Sequence, residues 1–300
     1  MNGYRVTIVY DKLIAVAVTG LLFAVVSSIL VYIKSQIAPT NICERGNSGI
    51  MIYDFFVGHE LAPRIGNFDF KWFSFRFTLH LWIILNLLFL TKAWETQHTL
   101  PPTLALVSLT QIYYLVDNLW FENNLLTMGD IMHEGFGYFA LNGFFAFCPL
   151  MYSLQPRFLL ENPKHQLPWY CLATILSLNI LGYCLYRGSN SQKNEFRKNP
   201  KSPAVAHLKT IPTENGRGLL VSGWWGVCRK PNYLGDILLA FSWSLPCGFR
   251  HLMPYFYPMF ITMMLLDREK TDSEYCKNKY KKSWDKYCEA VKYRIVPYVY

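Results

Sequence analysis

Apolar residues in this chain come in long blocks, not in the short alternations of a soluble fold. Leu13 to Ile33 runs for 21 residues without a charge, long enough to cross about 30 Å of hydrocarbon as a helix. Further blocks follow at Phe77 to Thr91, Thr103 to Val116, Gly137 to Leu154, Trp169 to Tyr186 and Asp236 to Leu266. The pattern predicts an all-α, polytopic helical membrane protein. The first block is too long for a signal peptide core and has no small-residue cleavage site. The last is interrupted by Pro246, Gly248, Arg250, His251 and Pro254. As one helix it would measure about 46 Å, too long for a straight span, so a tilted or kinked helical hairpin is expected. Between the blocks, the Gly/Asn/Pro-rich stretch from Ile37 to Lys71 reads as an irregular loop, packed down by its interleaved aromatics. From Arg268 onward a helix is expected, with Tyr275, Tyr280, Trp284 and Tyr287 at helical intervals, unable to pass Pro297.

Composition agrees with the pattern: of 300 residues, 52% are hydrophobic and 17% aromatic. The net charge of +9 is concentrated. Seven Lys or Arg lie between Arg187 and Arg217 against Glu195 and Glu214, and nine lie between Arg268 and Arg294 against five acids. The excess of cations places both segments on the cytoplasmic side. Basic blocks tethered to spans match no nucleic-acid module, so no nucleic-acid partner is expected. The eight cysteines form no CxxC pair and no zinc spacing, which predicts reduced thiols, no structural disulfide and no metal site.

Chemistry collects in three places. Leu219 to His251 places Trp224, Trp225, Arg229, Lys230, Asn232, Tyr233 and Asp236 at the mouth of an apolar stretch. Stacking aromatics, cations for phosphate, and amide and carboxylate groups for hydrogen bonds are what a cofactor pocket at a membrane surface requires. In RGSNSQKNEFRKNP, Arg187 to Pro200, Lys193 and Arg197 share one helix face and can grip a phosphate. On the residues alone, lipid headgroups would serve that pair as well as a cofactor. Third, Tyr113, Asp117, Trp120, Glu122, Asp130, His133 and Glu134 lie close together beside apolar runs, and ionisable groups at membrane depth usually face a cavity or a partner. There is no GxGxxG after a strand, so a Rossmann site is not expected.

These strings resemble the sterol reductase family, which includes delta-14 sterol reductases and the C-terminal part of lamin B receptors. RGSNSQKNEFRKNP is similar to the family's RGxNSQKxxFRxNP, and IYDFFVGHELAPRIGNFDFK to IYDFFxGxELNPRIGxFDxK. TMGDIMHEGFGYFALNGFFAFCPLMYSLQ follows TTMDIxHDGFGFMLxFGDLxWVPFxYSLQ. The resemblance spans residues 2–300 and implies a chain short at its N-terminus, without helices that full-length members carry. It implies a single membrane domain, 1–186 forming the N-terminal spans and sterol-side half and 187–300 the NADPH-binding half. The implied activity is NADPH-dependent reduction of the carbon 14–15 double bond of a sterol, in membranes of the endoplasmic reticulum and nuclear envelope. Cofactor contacts would come from Lys193, Arg197, Trp224, Trp225, Arg229, Asn232, Tyr233, Asp236, Arg268, Asp272 and Tyr280. Proton transfer would fall to Asp130, His133, Glu134 or Tyr233. The implied partners are a sterol and membrane lipid; lamin or chromatin binding is not readable from this chain.

The departures are specific. Lys230 stands for the family's His in Arg-His-Pro-Asn-Tyr, adding charge and removing a group that can be neutral at pH 7. Related isoprenylcysteine methyltransferases share that element but bind S-adenosylmethionine; the SQKN block favours NADPH. Glu134 replaces Asp, Phe144 replaces an Asp, Phe147 replaces Trp, Asp267 replaces His and Thr271 replaces Arg. The segment around Arg76 lacks the family's acid and Pro-Gly. The losses cluster on the sterol side, leaving a catalytically decayed, scaffold-like membrane protein as the alternative to an active reductase.

Overall fold

The computed structural model describes residues 7–126, 129–214, 216 and 218–300, without the side chains of Asn124 and Asp130. The chain forms two compact units, Met1–Gln166 and Leu167–Tyr300. The division falls before the helix Trp169–Lys198, which runs unbroken from its apolar part into the basic motif.

In the first unit, helix α1 (Leu13–Ile37) and helix α3 (Phe70–Gln97) are long and apolar enough to cross a membrane. Helix α2 (Met51–Val57) lies between them, and α4 (Pro102–Trp120) packs against α3. The buried face of α4 is polar, and its centre is Gln111, which no water reaches. The Gln111 side-chain carbonyl accepts from Trp82 Nε1 and Asn86 Nδ2, each at 3.0 Å. Its amide donates to the Tyr152 carbonyl at 3.4 Å. In a membrane domain such bonds satisfy polar groups that lipid would leave bare.

The block Gly137–Leu154 is not one regular helix. Tyr138–Asn142 runs through a π-helical stretch, Gly143–Phe147, into Cys148–Met151. Pro149 cannot donate to the carbonyl four residues before it, which favours the wider turn. Thr78 Oγ1 donates to the Phe144 carbonyl at 2.7 Å.

The stretch 38–69, expected to be irregular, holds a 3-10 turn, helix α2 and a two-residue hairpin of β1 (Arg64–Ile65) and β2 (Phe68–Asp69). Polar pairings account for the order. Asp54 accepts from the Ser48 nitrogen and hydroxyl at 2.9 and 2.8 Å, and Arg64 grips Asp69 at 2.9 Å. Asp69 also caps α3, accepting from the Trp72 nitrogen at 2.9 Å.

In the second unit, helix α5 (Trp169–Lys198) packs along α6 (Pro231–Ser244). The contact is backbone to backbone at Gly182 and Gly235: a Cβ on Gly235 would sit 2.5 Å from the Tyr186 nitrogen and 2.7 Å from the Gly182 oxygen. Asn179 adds a hydrogen bond to Ser242 at 2.7 Å. A ribbon of β3 (Thr210–Ile211) and β4 (Leu219–Leu220) lies between the two helices in sequence. The expected hairpin is present. After α6 the chain breaks over Leu245–Tyr255, with Gly248 at φ 69°, and returns as α7 (Phe256–Tyr280). The tail differs from a single helix: Lys281, at φ 46°, separates α7 from α8 (Lys282–Ala290), and helix ends seven residues before Pro297. Trp284, Tyr287 and Val291 form a core with Ile211, Leu219 and Val221 of the ribbon region.

Candidate functional site

The basic end of α5 meets the Trp-Trp segment. Gly223, at φ 64°, turns the chain into the short helix Trp224–Val227, and the Trp224 nitrogen donates to Gln192 at 3.1 Å. A Cβ on Gly188 would lie 2.7 Å from the Trp224 indole nitrogen, so only glycine lets that ring settle on α5. Trp225 is buried and donates through Nε1 to the Ser189 carbonyl at 3.0 Å. The Lys193 ammonium stands 5.1 Å from the Trp225 ring centroid. Arg197, one turn further, is exposed. The motif therefore places one cation against an indole and a second in the open, on the same helix face.

Lys230 and Asp272 bring the two ends of the α6–α7 hairpin together. The Lys230 ammonium is 2.5 Å from the Asp272 carboxylate and 5.3 Å from the Tyr233 ring. The Tyr233 hydroxyl donates to the same carboxylate oxygen at 3.2 Å. Burial alone would raise the Asp272 carboxyl, but the Lys230 charge and the hydrogen bonds from Lys230 and Tyr233, helped by Arg268, hold it below its ordinary value. Lys193 lies within electrostatic reach of Arg197, Lys230 and Asp272. Among the described residues, Lys193, Arg197, Lys230 and Arg268 gather around Asp272, an excess of cations suited to an anion.

The other residues expected at a cofactor site fall into three groups. Asn232, at the second position of α6, has a buried Oδ1 with no hydrogen-bond donor. Asp236 follows it by one turn, and Arg268 precedes Asp272 by one turn of α7. Arg229 is engaged elsewhere, its guanidinium donating to the Val291 and Lys292 carbonyls at 3.0 Å each. Tyr280 packs into the Trp284–Tyr287 cluster with the Lys279 ammonium 5.5 Å from its ring.

In the first unit, His133 and Glu134 are exposed on a turn that follows the short helix Gly129–Met132. Asp130 is on that helix, and its side chain lies outside the described residues, as do Thr127 and Met128. The turn is fixed from below by Lys71, 2% exposed, which donates to the Ile131 and Glu134 carbonyls at 3.0 and 2.6 Å. Gly135-Phe136-Gly137 does a packing job. Gly58, at φ 103°, is pressed against the Phe136 and Gly137 nitrogens, and the Phe136 nitrogen donates to the Glu60 carbonyl at 2.8 Å. Phe144 sits in an aromatic cluster, edge-on to Phe75 at 5.9 Å and stacked on Phe136 at 6.3 Å.

Several anchoring residues carry no signal of their own in the sequence. Glu60, wholly buried, accepts from Lys34 at 2.7 Å and from the Thr40 hydroxyl at 2.8 Å. Glu269 and Arg294 are paired 25 residues apart, and the Lys230–Asp272 bridge joins residues 42 apart. Only their charge in an apolar setting could have marked them.

Long apolar helices with buried polar anchors define a helical membrane protein, and Lys193, Trp225, Lys230 and Asp272 gather in its second unit. The chain belongs to the Ergosterol biosynthesis ERG4/ERG24 family, whose model matches residues 1–300. It is 47% identical over 291 residues to the delta(14)-sterol reductase TM7SF2 of Mus musculus, covering 96% of this chain and 69% of that one. It is 46% identical over 288 residues to the delta(14)-sterol reductase LBR of Gallus gallus, covering 95% of this chain and 45% of the other. With the delta(14)-sterol reductase erg24 of Schizosaccharomyces pombe it shares 40% over 294 residues, 97% of this chain and 69% of that protein.

Proposed function

We propose that this chain is an NADPH-dependent delta(14)-sterol reductase of the endoplasmic reticulum membrane and the nuclear envelope. The observation that carries the reading is the grouping of Lys193, Arg197, Trp225, Lys230 and Asp272 in one region, in a chain whose relatives bear that activity in their names. The residues fit a dinucleotide. Asn232 offers a buried acceptor that lacks a donor, as a ribose hydroxyl or carboxamide would supply. The exposed Arg197 guanidinium suits a phosphate fork.

When bound, NADPH supplies the hydride that carbon 14 of the sterol receives. This chain's residues hold the dinucleotide and deliver a proton to carbon 15, which balances the reduction of the double bond. Lys193 and Arg197 would hold phosphate, with Trp224 and Trp225 beside them. Candidates for the proton donor are Asp130, His133, Glu134 and the Tyr233 phenol. The Tyr233 hydroxyl donates to Asp272, so giving its proton to the sterol would require the hydroxyl to turn away from that carboxylate.

Purified protein should bind NADPH more tightly than NADH, and Arg197→Glu should abolish the difference. Equal, weak affinity for both nucleotides would refute the cofactor assignment and favour lipid headgroups as the anions. Expression in yeast lacking delta-14 sterol reductase should restore growth without ergosterol. Failure to do so with NADPH binding intact would favour a membrane scaffold.

A further inference from the structure

The C-terminal segment 291–300 is stitched to the mouth of the cofactor region by bonds that no motif announces. The Arg229 nitrogen donates to the Tyr293 carbonyl at 2.9 Å and the Lys230 nitrogen to the Arg294 carbonyl at 3.0 Å. The Arg229 side chain adds two bonds to carbonyls of residues 291 and 292. Ile295, fully buried, packs with Ile237 of α6 and Leu265 of α7. The segment therefore lies where the two helices carrying Lys230, Tyr233 and Asp272 meet.

One ion pair adds to these bonds and ties the segment to α7. Glu269 is 0% exposed. One of its oxygens accepts from Ser273 Oγ at 2.6 Å, and the other faces Arg294 Nη1 at 3.4 Å. Arg294 also donates to the Tyr300 hydroxyl at 3.2 Å, with its guanidinium carbon 5.3 Å from that ring. Glu269 is buried while the Arg294 side chain is 42% exposed; a buried carboxylate that loses its cation is destabilising. Glu269 stands three residues before Asp272 on α7, hence on the adjoining face. Arg294 is one bond from the Lys230 backbone. The pair thus connects both ends of the Lys230–Asp272 bridge without itself belonging to the cation–indole group.

We propose that Glu269 and Arg294 are positioning residues of the cofactor site: by fixing segment 291–300 against α6 and α7, they hold Lys230, Tyr233 and Asp272 in register for a dinucleotide. The proposal rests on the NADPH reading above.

The test measures NADPH affinity of the full chain in lipid nanodiscs, by energy transfer from tryptophan to the nicotinamide. Glu269→Gln and Arg294→Met are each expected to weaken binding by about tenfold. Arg294→Lys, which keeps the charge, and the exchanged pair Glu269→Arg with Arg294→Glu should recover most of the loss. Thermal unfolding without nucleotide runs in parallel. Should Glu269→Gln or Arg294→Met fail to fold, Tyr300→Phe, which removes a single hydroxyl, is expected to weaken binding by roughly two- to fivefold. Single variants that fold and bind as tightly as wild type overturn the positioning role. So does a loss that neither Arg294→Lys nor the exchange restores, since that marks general destabilisation. A Tyr300→Phe protein that binds normally in the fallback case overturns it too. Wild type that binds no NADPH refutes the cofactor reading itself, and the positioning role falls with it.

Discussion

Gly235→Ala probes the contact on which the second unit is built. The added methyl would lie 2.5 Å from the Tyr186 nitrogen, 2.7 Å from the Gly182 oxygen and 2.8 Å from the Tyr186 Cα. All three are backbone atoms of a helix, so no side-chain rotation relieves the overlap and α5 must move away from α6. Overpacking of this kind costs about 1–3 kcal/mol. Against it stands the helix-propensity gain of Ala over Gly, about 1 kcal/mol. A matched control removes that gain from the comparison. Gly143 is also helical in φ, and a Cβ there meets nothing within 4 Å. Gly143→Ala should be neutral or stabilising, and Gly235→Ala should lie about 1–3 kcal/mol below it. Thermal midpoints of both variants in one detergent give the order. α5 carries Lys193 and Arg197, whereas α6 carries Asn232 and Tyr233, so NADPH affinity should fall with Gly235→Ala and hold with Gly143→Ala. Equal midpoints for the two variants would refute the close-packing argument.

Three further outcomes follow from the same geometry. Asp272 is held below its ordinary value, so its contribution is present above the unfolded carboxyl pKa of about 3.9 and is lost as pH falls through the lower folded value; an acid titration of stability should show a smaller acid loss in Asp272→Asn than in wild type. Phe144→Asp places a carboxylate against Phe75 and Phe136 and should cost roughly 2–4 kcal/mol of stability. NADPH affinity should be unchanged, and turnover of a 14-unsaturated sterol should rise if the family's acid is what limits the wild type; wild type already as active as a relative with that acid would refute the last part. Cys228 is buried, which pushes its thiol up to about 11, so it should resist maleimide at pH 7 in the folded protein and label only on unfolding.

What could be read from the sequence depended on how local the physics was. α1, α3 and α5 are legible because an unbroken apolar run needs no distant partner to declare a span. The hairpin break at Leu245–Tyr255 is legible because Pro246, Gly248 and Pro254 act where they stand. By contrast, α2 and the β1–β2 hairpin sit in a stretch with no clear period, ordered by Asp54 and Asp69 bonding to neighbours whose placement the string does not reveal. The tail break at Lys281 is a left-handed residue that carries neither Gly nor Asn as a warning. Among the site residues, Lys193 and Arg197 are four apart on one helix and declare themselves as a pair. Lys230 reads as surplus positive charge in the sequence, yet in the fold it is matched by Asp272. Arg229 reads as a cofactor contact, yet its guanidinium holds carbonyls of the tail.

The last contrast bears on the substitutions that separate this chain from its relatives. A residue tied to backbone carbonyls, such as Arg229 or Lys71, serves geometry whatever the ligand, and its replacement is felt as disorder of the segment it holds. Asn232, whose buried Oδ1 has no hydrogen-bond donor, is instead a residue on which the proposed cofactor contact can be tested. Phe144 belongs to neither kind. Its ring is accommodated by Phe75 and Phe136, and its carbonyl by Thr78, so the surroundings have adjusted to an apolar side chain. An acid at that position would have required a donor beside it, and the neighbours the structure supplies there are aromatic rings. In the second unit, by contrast, Lys193 stands over Trp225 with Arg197 in the open, the arrangement on which the proposed phosphate contact rests.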